Sequence, residues 1–97
     1  MNRMTYRCQV VGNNFVLSTD DGPHRLGFFG NRDIEAEYPA DAERQAVEQI
    51  WLELSPRVLN QPEDPPSVSV ESVLPLREGD KPSQAFTWVS ENQEMSS

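Results

Sequence analysis

The stretch from residue 39 to 54, PADAERQAVEQIWLEL, does most to narrow the fold. Ala42, Ala46, Val47, Ile50 and Leu54 recur at helical spacing and form one apolar stripe. Asp41, Glu43, Arg44, Gln45, Glu48, Gln49 and Glu53 fill the remaining positions. Pro39 suits the first helical position, where its missing N–H costs nothing. Asp41 and Glu43 lie near the positive end of the helix dipole. Pro56 stops the helix, because it pushes Ser55 towards extended geometry. A helix with a single apolar stripe must bury it against a second layer, and the rest of the chain offers strands.

The strand segments show alternation. In YRCQVV (6–11), Tyr6, Cys8 and Val10 share one face, and Arg7, Gln9 and Val11 the other. Gly12-Asn13-Asn14 interrupts the run as a turn or bulge, and FVLS (15–18) resumes it. TDDGP (19–23) holds Asp-Gly and Gly-Pro, which mark a turn, so HRLGFF (24–29) reads as the returning strand of a hairpin. Gly30-Asn31 is a second break before RDIEAEY (32–38). After the helix, SPRVLNQPEDPPS (55–67) is a proline-rich crossover loop, with Val58 and Leu59 expected against the core. VSVESVL (68–74) is a strand in which Val73 falls out of the alternation, the mark of a bulge or an early end. PLREGDKPSQ (75–84) is a loop, and AFTWV (85–89) a final strand at the sheet edge or a cover for the core. The expected organisation is a flexible 1–5, one domain over 6–89 and a flexible tail over 90–97.

These elements specify an α+β fold: a mixed, mainly antiparallel sheet with one helix packed on one face. The order is β-β-β-α-β with room for a last strand. The segment from 34 to 72 has the length of a right-handed β-α-β crossover, which makes its two strands parallel. The arrangement is half of a ferredoxin-like fold with an extra hairpin. In topology it is similar to the small β-β-β-α-β antitoxin domains of the HicB type.

Charge excludes several function classes. Sixteen acids face eight bases, a net charge of −8, and the bases Arg3, Arg7, Arg25, Arg32, Arg44, Arg57, Arg77 and Lys81 are never adjacent. Phosphate backbones and anionic membranes repel such a chain, so no direct nucleic-acid or membrane partner is expected. No run of 18 apolar residues exists to span a bilayer. The opening MNRMTYRCQVVG lacks the apolar run of a signal peptide, and the one cysteine, Cys8, permits no internal disulfide. The expected location is the cytoplasm.

Candidates for chemistry are few. His24 is the only histidine and Cys8 the only thiol, so a nucleophile–base dyad requires these two to meet. The alternative is a turn-side histidine and a cysteine packed as a small hydrophobe. One Cys and one His are too few for zinc, DDGP is not a calcium loop, and no glycine-rich phosphate loop is present. No catalytic residue, metal or cofactor is assigned.

Two features point instead to a protein partner. Asp33, Glu35 and Glu37 alternate with Ile34, Ala36 and Tyr38, so the acids share one strand face, which Glu71 joins if 68–74 is the neighbouring strand. That row is either a solvated face or an imitation of phosphates offered to a basic groove. Phe29, Trp51 and Trp88 lie at the margins of the expected core, either packed under a neighbouring segment or left for a partner. The expectation is a small non-catalytic bacterial-type cytoplasmic protein that binds another protein through these six residues, or itself through an uncovered strand edge. The alternatives are an inhibitor or antitoxin that blocks a basic nucleic-acid-binding enzyme, and a small enzyme or ligand-binding domain around His24 and Cys8. If the acidic row is an exposed contact surface, neutralising it removes binding without lowering stability.

Overall fold

The computed structural model describes residues 3–77, 79–80 and 86–91. In chain order these form β1 (Met4–Thr19), β2 (Gly22–Ala36), α1 (Pro39–Leu54), a 3-10 turn (Ser55–Arg57), β3 (Ser67–Pro75) and β4 (Phe86–Ser90). The four strands make one sheet in the order β3-β1-β2-β4, and every neighbouring pair is antiparallel. The helix packs on one face across β1, β2 and β3. The α+β class with one covering helix is therefore what the chain adopts. The tail expected over 90–97 lies outside the described residues beyond Glu91, as do residues 1 and 2.

The region before the helix holds two long strands, not three short ones. Neither expected break interrupts strand direction. Gly12-Asn13-Asn14 is a bulge: the pairing steps from Gly12↔Phe28 to Phe15↔Leu26, which puts one extra residue in β1. Gly30 is bonded on both sides, opposite Val10 in β1 and Phe86 in β4, so β2 runs straight through it. The hairpin turn is where the Asp-Gly signal put it, closing at Gly22 with φ +104°, a conformation that favours glycine. The Thr19 hydroxyl donates to the Gly22 carbonyl at 2.7 Å. The long hairpin makes the molecule 49 Å in its greatest extent, with a radius of gyration of 15.2 Å. A compact chain of this length would have about 12–13 Å.

The crossover corrects a second expectation. β2 and β3 both run antiparallel to β1, so they are parallel to each other as the β-α-β length requires. They are not neighbours, however, because β1 lies between them. This is a split β-α-β unit, the half of a ferredoxin-like fold that the sequence suggested. The β-β-β-α-β order of the HicB-type resemblance is not the order found, since two strands precede the helix and two follow it.

Packing follows the stripes. Ala42, Ala46, Ile50 and Leu54 are buried on the helix, and the small alanines let it lie close to the sheet. From the sheet they meet Tyr6, Cys8, Val10, Phe15, Leu17, Phe28, Ile34 and Ala36. The expected bulge in β3 is present: Ser72 pairs with Gln9 and Val70 with Val10, leaving Glu71 as the extra residue. It restores Val73 to the face of Val68 and Val70, and all three pack against the core. Gly12 is required by close approach, because a Cβ there would lie 2.0 Å from the Phe28 ring.

The β1 bulge is also where the crossover loop is tied down. Asn14 adopts φ +63°, the left-handed region. All four of its polar groups are engaged. Its N–H donates to both Glu91 carboxylate oxygens at 3.2 Å, and its carbonyl accepts from Asn60 Nδ2 at 2.7 Å. Its Nδ2 donates to Asp64 Oδ1 at 2.7 Å, and its Oδ1 accepts from Arg25. Asn60 extends the knot by accepting from the Val16 N–H at 2.9 Å, and the Leu59 N–H donates to the Val16 carbonyl at 2.8 Å. Val58 thereby bridges to Leu17 and packs on the core, while the Leu59 side chain stays exposed.

Replacing Asn14 by Ala removes the side-chain bonds, net about 1 kcal/mol each, and adds the left-handed cost of about 1–2 kcal/mol for a residue with a Cβ. We expect Asn14→Ala to lower the unfolding free energy by about 3 kcal/mol in urea titration, and Asn14→Gly by about 1 kcal/mol less. Equal losses for the two variants would show that the left-handed backbone contributes nothing.

Candidate protein-binding face

The helix covers one side of the sheet and leaves the other without a second layer among the described residues. Strand pairing places the side chains of this uncovered face in rows. The central row is Ser69, Val11, Phe29 and Thr87, one residue from each strand. On one side follow Ser72, Gln9 and Asn31, then Leu74, Arg7 and Asp33. On the other side lie Ser67, Asn13, Gly27 and Val89. Phe29 is 54% exposed and Val89 46% exposed. Phe29 is thus a large apolar side chain in water at the middle of a sheet face, and Val89 one at its β4 edge.

Relief matters as much as composition. A shallow groove of about 380 Å³ is lined by Gln9, Val11, Phe29, Asn31, Glu71 and Thr87, and so crosses all four strands. Beyond the Val11–Phe29 ridge lies a second depression of about 520 Å³, lined in part by Gly12, Gly27, Val89 and Glu91. Gly27 has to lack a side chain, since a Cβ there would stand 2.5 Å from the Glu91 carboxylate and 3.0 Å from the Gly12 carbonyl.

The acidic row is not the open surface that alternation suggested. Asp33 does point to the uncovered face, but Arg7, its partner across β1 and β2, donates to both of its oxygens at 3.0 and 3.2 Å. Its side chain is only 5% exposed. Those bonds also hold the Arg7 guanidinium more firmly in its charged form, raising its pKa. Glu35 is exposed and lies 3.6 Å from Arg3. Glu37 falls after the end of β2 and does not continue the row. Glu71 cannot join through a neighbouring strand, because β3 lies beside β1. Alternation predicted the face of Asp33 and Glu35, but not that the adjacent strand would set arginines against them.

The aromatics separate. Trp51 packs on Phe15, with ring centroids 5.5 Å apart. Trp88 is on the helix side, paired with Phe28 and edge-on to it at 5.2 Å, with 38% of its surface exposed. Phe29 alone of the three stands on the uncovered face. Val11, Thr87 and Val89, its neighbours there, were not singled out from sequence. Their parity was legible, but which face lacked a cover was not.

Cys8 and His24 do not meet. Cys8 pairs with Arg32 and His24 with Leu17. Eight residues of β2 separate those rungs, roughly 26 Å at the strand rise of about 3.3 Å. Cys8 is fully buried, and burial first, then the Glu43 and Asp33 carboxylates, push its thiol up to about 11. Arg32 is a partly hidden charge on the helix side: it lies 5.0 Å over the Phe86 ring and pairs with Glu53. Across the knot, hydrogen bonds from Asn14 and then Arg25 hold Asp64 below the usual carboxylate range. Among the described residues no group of three or more His, Cys, Asp or Glu side chains is placed to hold a metal ion. Nor is any helix there long and apolar enough to cross a membrane.

No family model matches the chain, and no curated protein or solved structure does so either.

Two measurements check this placement. Asp33→Asn should lower the denaturant midpoint, because it removes the carboxylate that accepts both Arg7 bonds, whereas Glu35→Gln should not change it. Equal midpoints for all three proteins would return Asp33 to the solvent. The folded Cys8 thiol has a pKa above its unfolded value of roughly 8.5. Its contribution is thus complete below that value and is lost as pH rises towards about 11. We expect native protein to resist a thiol reagent at neutral pH and react on unfolding, and Cys8→Ala to lessen the alkaline loss of stability. Fast labelling of native protein would place Cys8 outside the core.

Proposed function

We propose that the protein is a non-catalytic cytoplasmic binding module that docks another polypeptide on the uncovered face of its sheet. The observation that carries this is the exposure of Phe29 beside Val11 at the centre of that face, with Val89 exposed next to it on the edge strand β4. An aromatic anchor ringed by small and polar residues resembles the centre-and-rim pattern of binding sites, in which a few apolar side chains supply most of the energy. Ser69, Ser72, Gln9, Asn31 and Thr87 surround it and can supply hydrogen bonds at the rim.

The net charge of −8 acts at longer range. It keeps the chain soluble and steers encounters, but the carboxylate deepest in the face is already matched by Arg7. The contact itself is apolar. Binding should therefore survive moderate salt, unlike the docking of an acidic row on a basic groove.

The test is capture of polypeptides by the tagged protein from the lysate of its source. We expect the captured set to be lost with Phe29→Asp and kept with Leu52→Asp, since Leu52 is 77% exposed on the helix side. A set that Phe29→Asp leaves unchanged would rule out the sheet face as the docking surface.

A further inference from the structure

We infer that the polypeptide seated on this face is a second copy of the same chain, the two sheets packing face to face about a two-fold axis. This rests on the reading of the sheet face as a docking surface, and three observations choose the occupant.

The first is charge. The central rows, from Ser69 to Thr87 and from Ser67 to Val89, carry no ionised side chain. Of the charges at its margin, Arg7 is paired with Asp33 and Arg3 with Glu35, while Glu71 lines the depressions on both sides of Phe29. The Glu91 carboxylate is held by the Asn14 N–H. A basic partner would find carboxylates only at the margin, Glu71 and Glu91. The uncharged central rows let the middles of two acidic copies meet, with those carboxylates left beside the contact, where salt screens their repulsion.

The second is shape. An isologous contact needs a surface complementary to itself, a projection and a recess on the same patch. Phe29 is the projection, and the depression beside it, with Gly27 in its lining, is the recess. A two-fold axis lying in the plane of the interface and crossing the strands between Phe29 and Gly27 sets each Phe29 over the partner's recess. Sheets packed in this way lie about 10 Å apart with strands aligned within roughly 30°.

The third is area. Three strands about 4.8 Å apart over some nine residues at about 3.3 Å each, with the five residues of β4 beside them, present roughly 510 Å² of face in projection. Side-chain relief enlarges the contact beyond that, towards the ~800 Å² per partner of a stable interface. The face is thus large enough for a dimer at the weaker end of that class. One competing route, pairing along the exposed edge of β3, is blunted. Glu71 bulges from that strand, Pro65 and Pro66 precede it, and Pro75 ends it.

Sedimentation equilibrium of the full chain from about 5 to about 500 µM tests the inference, because self-association responds to concentration by mass action. We expect a mass rising from that of the 11.0 kDa chain to twice that value. Raising salt from about 0.05 M to about 0.5 M should strengthen the dimer, as it screens repulsion between two acidic copies. Phe29→Asp and Val89→Asp should both remain monomeric over the whole range with circular dichroism unchanged, and Phe29→Leu should still dimerise.

A wild-type chain that stays monomeric throughout, or a dimer that neither aspartate variant weakens, overturns the inference. The lysate capture separates the two levels. A monomeric chain whose captured polypeptides still depend on Phe29 keeps the docking face and loses only the second copy. A monomeric chain whose capture ignores Phe29 loses both.

Discussion

The bulge at Gly12–Asn14 sets the face on which every later residue of β1 lies. Before it, the even-numbered residues Tyr6, Cys8 and Val10 point to the core; after it, the odd-numbered Phe15 and Leu17 do. Strict alternation would have turned Phe15 and Leu17 to the uncovered face, since a slip of one residue moves every side chain across the sheet. The extra residue has to be stable where it sits, and Asn14 in the left-handed region, with all its polar groups bonded, is what holds it. The same bonds fasten the crossover loop through Asn60 and Asp64, and the end of β4 through Glu91. One local irregularity thus positions the core, the loop and the edge strand. Gly12 completes it by leaving room for the Phe28 ring.

Most of the described arginines are paired within the chain. Arg3, Arg7, Arg25, Arg32 and Arg44 each lie in an ion pair. The exposed pairs add little to stability, and the pair that matters is Arg7–Asp33, because its carboxylate is almost withdrawn from water. The consequence for recognition is that net charge and contact chemistry differ. The molecule is acidic at a distance, yet the middle of its uncovered face is neutral and partly apolar. An acidic sequence motif is therefore poor evidence for an acidic contact when neighbouring strands can supply arginines.

Much of the local structure was legible in the sequence. The helix begins at Pro39 and ends at Leu54 as expected, but Ser55 is not extended: it stays helical, and a 3-10 turn carries the chain through Pro56. The Asp-Gly turn and the bulge near Val73 are where turn chemistry and broken alternation put them. Gly30-Asn31 reads as a break because glycine and asparagine weaken an isolated strand, whereas of the turn or bulge offered for Gly12-Asn13-Asn14 the bulge is the one found. In the sheet, pairing on both sides carries β2 through Gly30, and side-chain bonds make the β1 irregularity a bulge. The parallel relation of β2 and β3 followed from crossover length, but which strand fills the space between them is not encoded in length.

By itself the sequence determined one helix, its apolar stripe, the positions of its turns, a sheet with one buried face, and an acidic surface. Each depends on the intrinsic geometry of a few consecutive residues or on summed charge, so each can be read without knowing what lies alongside. Tertiary structure alone decided that β1 stands between β2 and β3, that Arg7 neutralises Asp33, that Trp51 and Trp88 pack while Phe29 does not, and that Cys8 and His24 lie far apart. These depend on contacts between residues distant in the chain. Which strand pairs with which is settled by burying the whole apolar set at once, a global constraint that no local pattern contains.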